Sequence, residues 1–225
     1  MRDKIKNSAK EAIAQIGDGA SLMVGGFMGV GTPESLIDAL VEKGVKNLTI
    51  ICNDGGWGNP DKGIGKLISK GQVKKLIASH VGLNPEVGRR MSCDNPDEKM
   101  EVVLVPQGTL IEQIRAGGSG LGGVLTPTGV GTLVAEGKQV LNIDGKDYLL
   151  EKPLKADFGL IRASKADKFG NCVFYGTTRN FNPLIPAAVS CTIAGAQEIV
   201  EAGELDPNSI HVSGIFVDII VGGEK

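Results

Sequence analysis

The stretch from Val24 to Leu40 reads VGGFMGVGTPESLIDAL. Its four glycines lie between the apolar run SLMV, which is typical of a buried strand, and the segment PESLIDALVEKG, which has the pattern of a helix. Pro33 suits the first turn of that helix, and Gly44 suits its end. A glycine turn before a helix N-terminus can cradle an anion, bring a ligand close to the backbone or only redirect the chain, and the turn alone leaves these three open.

Two well-known phosphate-binding motifs do not match this turn. A Walker A loop would end in Lys followed by Ser or Thr, and a dinucleotide fingerprint would open the helix with G-x-G-x-x-G. Neither pattern occurs here, and Pro33 opens the helix instead. By itself the turn favours a ligand loop, with a tight structural turn as the alternative, and it does not identify a ligand.

The rest of the first half continues the alternation of strands and helices. In order, the segments are the strand NLTIICN, the helix KGIGKLISKG, the strand VKKLIASHV, the helix NPEVGRRMS and the strand MEVVLVP. The strands are short and apolar without clean alternation, as expected when both faces are buried. This order predicts a parallel sheet covered by helices.

The second half has a different rhythm. It predicts a short helix in GTLIEQIRAGGSGLGG, a hairpin in QVLNIDGKDYLL, a strand pair formed by GLIRASKAD and KFGNCVFYG, a helix in NPLIPAAVS, and closing strands in CTIAGAQEIV and IHVSGIFVDIIVG. The pair Asp144-Gly145 suits a type I′ turn. At the N-terminus, MRDKIKNSAKEAIAQIGDG predicts an amphipathic helix, with the apolar positions Ile5, Ala9, Ala12, Ile13 and Ile16.

These segments lead us to expect a single α/β domain over residues 1–225. Its core would be an open, mostly parallel sheet covered by helices, with a smaller antiparallel β elaboration in the second half.

Composition and charge narrow the class of protein. The net charge is −2 and no basic stripe with interleaved aromatic residues is present, which argues against nucleic-acid binding. No apolar run approaches the ~20 residues of a membrane helix, and the N-terminus lacks the apolar centre of a signal peptide.

Cys52, Cys172 and Cys191 lie in apolar segments and are expected to be reduced core residues, which predicts a cytoplasmic protein. Two separated histidines and no cysteine pair argue against a metal site.

A longer stretch, DGASLMVGGFMGVGTP from Asp18 to Pro33, resembles the N-terminal signature of the family I coenzyme A transferases. That signature is Asp-Gly, two free positions, three apolar residues, Gly-Gly-Phe, three free positions, Gly, one free position and Pro. The resemblance continues through NLTIICND, GQVKKLIASHVGLNPEVGRRM, VVLVPQGTLIEQIRAGGSGLGG, TPTGVGTLVAEGK and RNFNPLIPAA, and it covers essentially the whole chain. The polar segment SCDNPDEK, from Ser92 to Lys99, departs from the family pattern and is expected to be a surface loop.

Within this family, the chain looks like the α subunit of bacterial two-subunit enzymes that move CoA between short-chain acids such as acetate, butyrate and acetoacetate. The resemblance implies a ping-pong reaction in which a glutamate forms a mixed anhydride and then a glutamyl-CoA thioester. In the family that glutamate lies in the β portion, before Asn-Gly, and no Glu-Asn pair occurs here. The missing pair indicates that the nucleophile lies on a partner chain, and the resemblance implies a β subunit in an α2β2 heterotetramer, with CoA as a substrate and no separate cofactor.

Gln107 is the best candidate for a catalytic residue on this chain. It follows VVLVP at the expected carboxyl end of a strand, and its carboxamide can donate to a carboxylate or thioester oxygen without adding charge. It is otherwise an ordinary polar residue at a helix N-terminus. The CoA-binding candidates are the residues of the glycine turn: Gly25, Gly26, Phe27, Met28, Gly29, Val30 and Gly31.

For a few further residues, the sequence leaves a role at the site and a purely structural role open. They are His80 at a strand end, Asn53 and Asp54 in the loop after NLTIIC, Trp57 among glycines, and the cations Arg115 and Arg179. Two other functions also stay open: a non-catalytic subunit that binds acyl-CoA or carboxylate, and an enzyme of similar fold that resembles sugar-phosphate isomerases. The second would need a carboxylate or lysine constellation after the glycine loops, and the sequence offers no convincing one.

Overall fold

The computed structural model describes residues 4–58 and 61–224. The strands, in chain order, are β1 (Ile5–Lys6), β2 (Ser21–Val24), β3 (Leu48–Ile51), β4 (Trp57–Gly58), β5 (Asp61–Lys62), β6 (Val73–Ala78), β7 (Glu101–Leu104), β8 (Val124–Thr126), β9 (Val140–Ile143), β10 (Lys146–Glu151), β11 (Ala156–Asp167), β12 (Cys172–Val173), β13 (Val189–Val200) and β14 (Ile219–Val221). The helices are α1 (Ala9–Ala12), α2 (Glu34–Lys43), α3 (Gly65–Ser69), α4 (Pro85–Met91) and α5 (Gln107–Gly118). Short 3₁₀ turns occur at Leu133–Ala135, Gly176–Arg179, Ile185–Ala188, Pro207–Ser209 and Gly214–Phe216.

The main sheet has the strand order β1-β14-β13-β11-β2-β3-β6-β7 within the described residues, and every neighbouring pair in that order is parallel. The strand β12 adds an antiparallel pair to β11. A separate antiparallel sheet, β8-β10-β9, follows α5, and its hairpin has Asp144 at φ 52° and Gly145 at φ 80°. Both values fit the predicted type I′ turn. The predicted fold class is confirmed.

Two apolar layers cover the main sheet, one on each face. Because successive strand residues point to opposite faces, Leu22 and Met23 belong to different layers. The helices α1 to α4 pack on the face of Leu22, through residues such as Leu36 and Leu67. The other face is covered by α5 and by chain segments that carry Phe174 and Phe181. Because both faces of the sheet are covered, its strands do not alternate between apolar and polar residues.

Two predicted helices are wrong in extent. The N-terminal segment forms a helix only over Ala9–Ala12, because Ile5–Lys6 pairs with Ile220 and Val221 of β14 as an edge strand; the first three residues of that prediction lie outside the described residues. The segment NPLIPAAVS forms a 3₁₀ turn at Ile185–Ala188, in which Pro186 has no N–H to donate. Tertiary pairing and a proline thus override the helical pattern.

Cys52 and Cys172 are buried thiols, as predicted, but Cys191 is only half-buried rather than a core residue. Burial raises the pKa of the Cys172 thiol to about 12. None of the helices in the described part of the chain has the length and apolar character needed to cross a membrane.

Candidate active site

The carboxyl ends of four neighbouring parallel strands, β2, β3, β6 and β7, meet at one edge of the main sheet. The glycine turn follows β2, the segment Cys52–Gly56 follows β3, His80 lies just beyond β6, and Gln107 begins α5 after β7. The strand β2 is also where the strand order reverses, since β3 lies on one side of it and β11 on the other. In parallel sheets, ligands bind at such a switch point.

The tip of the glycine turn is a tight hairpin. The backbone N–H groups of Phe27 and Val30 each donate to the carbonyl oxygen of the other, at 3.0 and 2.9 Å. Between them, Met28 has φ 48° and Gly29 has φ 84°. A left-handed Met is a strained conformation, which surrounding contacts must hold in place. The side chains of Phe27, Met28 and Val30 are exposed by 39, 40 and 46%.

Three of the four glycines are required by contacts within the chain. A Cβ atom at Gly25 would lie 1.9 Å from Asn182 Oδ1, one at Gly31 would lie 2.8 Å from Asn182 Nδ2, and one at Gly26 would lie 2.3 Å from Thr32 Oγ1. At Gly29 the nearest atom would be Trp57 Nε1, at 3.6 Å. The tip from Phe27 to Val30 is the exposed part of the turn, whereas Gly25, Gly26 and Gly31 are buried.

Two asparagines that we did not predict as functional hold this turn. Asn182 is fully buried; its Nδ2 donates to the carbonyl oxygens of Gly31 and Thr178, and its Oδ1 accepts from the N–H of Arg162. Asn180 donates through Nδ2 to the carbonyl oxygen of Val30 at 2.9 Å. The segment RNFNP, which we used only for the family resemblance, contains both asparagines, and this pair of amides was the one sequence signal for their role.

The N-terminus of the helix after the turn is already occupied by a carboxylate. Both oxygens of Glu224 accept from the N–H of Ser35, at 3.2 and 3.3 Å, and the Ser35 hydroxyl donates to Glu224 Oε2. Glu224 is 4% exposed. The partial positive charge of α2 is thus directed at the chain's own glutamate.

Asn53 and Asp54 connect the glycine turn with Gln107. Asp54 Oδ2 accepts from the N–H of Met28 at 2.7 Å and from Asn53 Nδ2 at 2.8 Å, and Asp54 Oδ1 accepts from the N–H of Gly56 at 3.0 Å. Asn53 Oδ1 in turn accepts from Gln107 Nε2 at 3.1 Å. Asn53 and Asp54 are buried, whereas Gln107 is exposed at the first position of α5.

A small cavity lies beneath the turn, between it and the loop after β3. Its volume is about 20 Å³, and its walls include Gly26, Thr32, Cys52, Asn53 and Trp57. Burial raises the pKa of the Cys52 thiol well above its usual value, so this thiol stays protonated. The cavity is of the size of a single water molecule.

Three further residues that the sequence left open, His80, Arg179 and Arg115, differ in whether they contact the glycine turn. His80 is exposed, and its carbonyl oxygen accepts from the N–H of Gly55. Arg179 donates through Nε to the carbonyl oxygen of Phe174 and lines a surface groove together with the turn residues Phe27, Met28 and Val30. Arg115 forms an ion pair with Glu112 and lines a different groove, between α5 and β8. The structure therefore brings Arg179 to the turn and does not bring Arg115 there.

The described part of the cavity wall contains no glutamate. Glu34, at the start of α2, accepts from the N–H of Gly63 and pairs with Lys66 at 2.7 Å. Asp54 is the carboxylate at the site, and its oxygens already accept three N–H groups. Among the described residues, the site thus offers amide and backbone donors, and Asp54, the carboxylate in the cavity wall, already accepts hydrogen bonds.

Comparison with known proteins gives a consistent result. A profile of the family described as "Coenzyme A transferase" matches residues 6–223. The α subunit of an acetate CoA-transferase from Escherichia coli K12 is 55% identical over 225 residues, which cover 100% of this chain and 99% of that protein. The α subunit of an acetoacetyl-CoA:acetate/butyrate CoA transferase from Clostridium acetobutylicum is 50% identical, with 91% of each chain covered.

Among solved structures, an acyl-CoA transferase from E. coli O157:H7, in a thioester complex with CoA, superposes with a TM-score of 0.85 at 28% identity. The match covers 99% of this chain and 47% of that one, so this chain spans about half of that enzyme's length. The resemblance in the glycine signature is confirmed by the family profile and by the two relatives. The chain belongs to the coenzyme A transferase family.

Proposed function

We propose that the chain is the α subunit of a CoA-transferase that moves CoA between a short-chain acyl-CoA and a carboxylic acid such as acetate, butyrate or acetoacetate. Its partner is a β subunit, in an α2β2 heterotetramer of the cytoplasm, and residues 1–225 form a single domain. CoA is a substrate, and no separate cofactor is required. The observation that carries the proposal is a donor-rich site, whose described cavity wall contains no glutamate, in a chain that matches named α subunits over nearly its full length.

In the proposed reaction, a glutamate of the β subunit attacks the acyl-CoA carbonyl and releases the CoA thiolate. The thiolate then attacks the resulting mixed anhydride, which frees the first acid and leaves a glutamyl-CoA thioester; the acceptor acid reverses these steps. This chain contributes the tip of the glycine turn, where CoA binds, and the carboxamide of Gln107. Gln107 donates an N–H to the acyl oxygen as negative charge develops on it.

The test is reconstitution with a β chain. The chain, the β chain and their mixture are each supplied with acetyl-CoA and isotopically labelled butyrate or acetoacetate, and the new acyl-CoA is measured by mass spectrometry. We expect exchange only in the mixture, and light scattering reports the stoichiometry of the complex. Hydride reduction during turnover is expected to trap the thioester on a glutamate of the β chain.

Two outcomes oppose the proposal. Exchange by this chain alone, at the rate of the complex and free of β contaminant, would place the nucleophile here. A complex that binds acyl-CoA without exchange would support a non-catalytic binding subunit instead.

A further inference from the structure

The dipeptide Asn53-Asp54 lies between the two parts of the candidate site and contacts both. Met28 at the tip of the turn donates to Asp54 at 2.7 Å, and Gln107 donates to Asn53 at 3.1 Å. We propose that Asp54 is a positioning residue, whose carboxylate sets the orientation of the Gln107 carboxamide through Asn53. This inference rests on the role proposed above for Gln107.

The first step is the carboxylate itself, which is surrounded by donors. It is 8% exposed and accepts from the N–H groups of Met28 and Gly56, which are backbone donors that cannot reverse. An ionised carboxylate accepts hydrogen bonds and donates none. Any amide placed against it must therefore present its NH₂ group.

The second step is the amide of Asn53, which has two possible orientations. With its NH₂ group 2.8 Å from Asp54 Oδ2, its carbonyl Oδ1 must face the opposite way. There Oδ1 meets Gln107 Nε2 at 3.1 Å, an amide group that can donate, whereas the Ser79 hydroxyl donates to the backbone carbonyl oxygen of Asn53 at 2.8 Å. The reverse orientation would direct NH₂ groups at one another and an oxygen at the carboxylate, which costs free energy in a buried site.

The third step is Gln107, which is exposed and would otherwise sample several rotamers. Because Asn53 presents an oxygen, Gln107 must direct Nε2 toward it, and one N–H of that group stays available to a ligand. The same carboxylate holds Met28 at φ 48°, so the tip of the turn and the carboxamide are fixed relative to each other. Such preorganisation lowers the entropic cost of reaching the reactive geometry.

The decisive variant is Asp54→Asn, with Asp167→Asn as its matched control. Asp167 is 3% exposed and accepts from the same kinds of donor: the N–H groups of Phe169 and Asn171 and the side-chain Nδ2 of Asn171. It is the last residue of β11, and these hydrogen bonds join it to residues of its own hairpin. An asparagine has one oxygen, so each variant loses part of its acceptor set, but only Asp54→Asn releases the orientation of Asn53.

Activity is measured in the complex with the β subunit. We expect Asp54→Asn to lower kcat by roughly tenfold, because the carboxamide is misplaced, while Asp167→Asn keeps kcat near wild type at a comparable loss of Tm. In Gln107→Ala the group to be oriented is gone, so adding Asp54→Asn should lower kcat little further. The inference would be overturned if the fold-losses of kcat in Asp54→Asn and Gln107→Ala multiplied fully in the double variant. An equal loss of kcat in Asp167→Asn would also overturn it.

A second readout does not depend on activity. The side-chain amide of Gln107 is assigned in the ¹⁵N–¹H spectrum of the full chain by its absence in Gln107→Ala. We expect both of its proton resonances to move in Asp54→Asn and to stay in place in Asp167→Asn. Unmoved resonances in Asp54→Asn contradict the inference, whereas an inactive wild-type complex contradicts the proposed function and leaves this measurement valid.

Discussion

Asn182 Oδ1 occupies the space in which a side chain at Gly25 would begin. A Cβ atom on Gly25 would lie 1.9 Å from that oxygen, and Asn182 is itself held by the N–H of Arg162 and the carbonyl oxygen of Gly31. The glycine is thus required by a residue of the same chain. This relationship separates the part of the signature that builds the turn from the exposed tip that we propose binds CoA.

Gly25→Ala is expected to destabilise the chain by about 1–3 kcal/mol, the usual scale of overpacking. The measurement is the free energy of unfolding in urea. Gly88→Ala is the matched control, because a Cβ there, within α4, has nothing within 4 Å and alanine favours a helix. In the double variant Gly25→Ala/Asn182→Ala, we expect less destabilisation than the sum of the single changes. Additive losses would show that the Cβ clash is not the cause.

Gln107→Ala is expected to lower kcat and kcat/KM together by roughly 10²–10³-fold, because a donor to the developing oxyanion is lost. Kinetics and Tm are measured on the complex with the β subunit. The control is Gln113→Ala on the same helix, since Gln113 is buried and donates to Glu151 at 3.1 Å. That change should lower Tm and spare kcat. A Gln107→Ala variant with normal kcat and a lowered Tm would assign this residue a structural role only.

Glu224→Ala is expected to cost about 1–2 kcal/mol of stability. Pro33 provides no side-chain cap for α2, so Glu224 is the carboxylate that satisfies the N–H of Ser35. Thermal unfolding is the measurement, and Glu224→Gln should retain part of the effect. The control is Glu204→Ala, because Glu204 is exposed and accepts a single backbone N–H, from Glu201. Equal losses in the two alanine variants would argue against a capping role.

Stability is expected to fall as the pH drops below about 6.5, the ordinary pKa of histidine, because of His211. Burial and then the charge of Arg179 lower the pKa of His211, whose Nδ1 accepts from the N–H of Phe174 at 3.2 Å. The unfolded chain therefore binds this proton more readily, and acid favours unfolding. The hydroxyl and N–H of Ser21 hold the pKa of the Asp157 carboxylate below 3.8, so this group titrates at lower pH than His211 and does not contribute to the change near pH 6.5.

The check is the free energy of unfolding between pH 5 and 7 for the wild type and for His211→Asn. The asparagine side chain does not titrate in this range, so the free energy of unfolding of the variant should depend less on pH than that of the wild type. Parallel curves would show that His211 is not responsible.

Local patterns predicted most elements because they depend on residues close in sequence. The strand β2, the helix α2 with its left-handed Gly44, and the Asp144-Gly145 hairpin follow from apolar periodicity and turn chemistry. The same patterns overestimated the N-terminal helix, because pairing of Ile5–Lys6 with β14 depends on residues at the other end of the chain. Periodicity carries no information about such a partner.

The sequence by itself determined the class of fold, the family signature in the glycine turn, the absence of a Glu-Asn nucleophile motif and the position of Gln107 after a strand. Only the tertiary structure decided what these residues contact: Asn182 lies 151 positions from Gly31, Glu224 lies 189 positions from Ser35, and Gln107 lies 54 positions from Asn53. The physical reason is the strand order. It brings the ends of β2, β3, β6 and β7 to one edge of the sheet, so that buried amides and carboxylates from distant segments must satisfy one another.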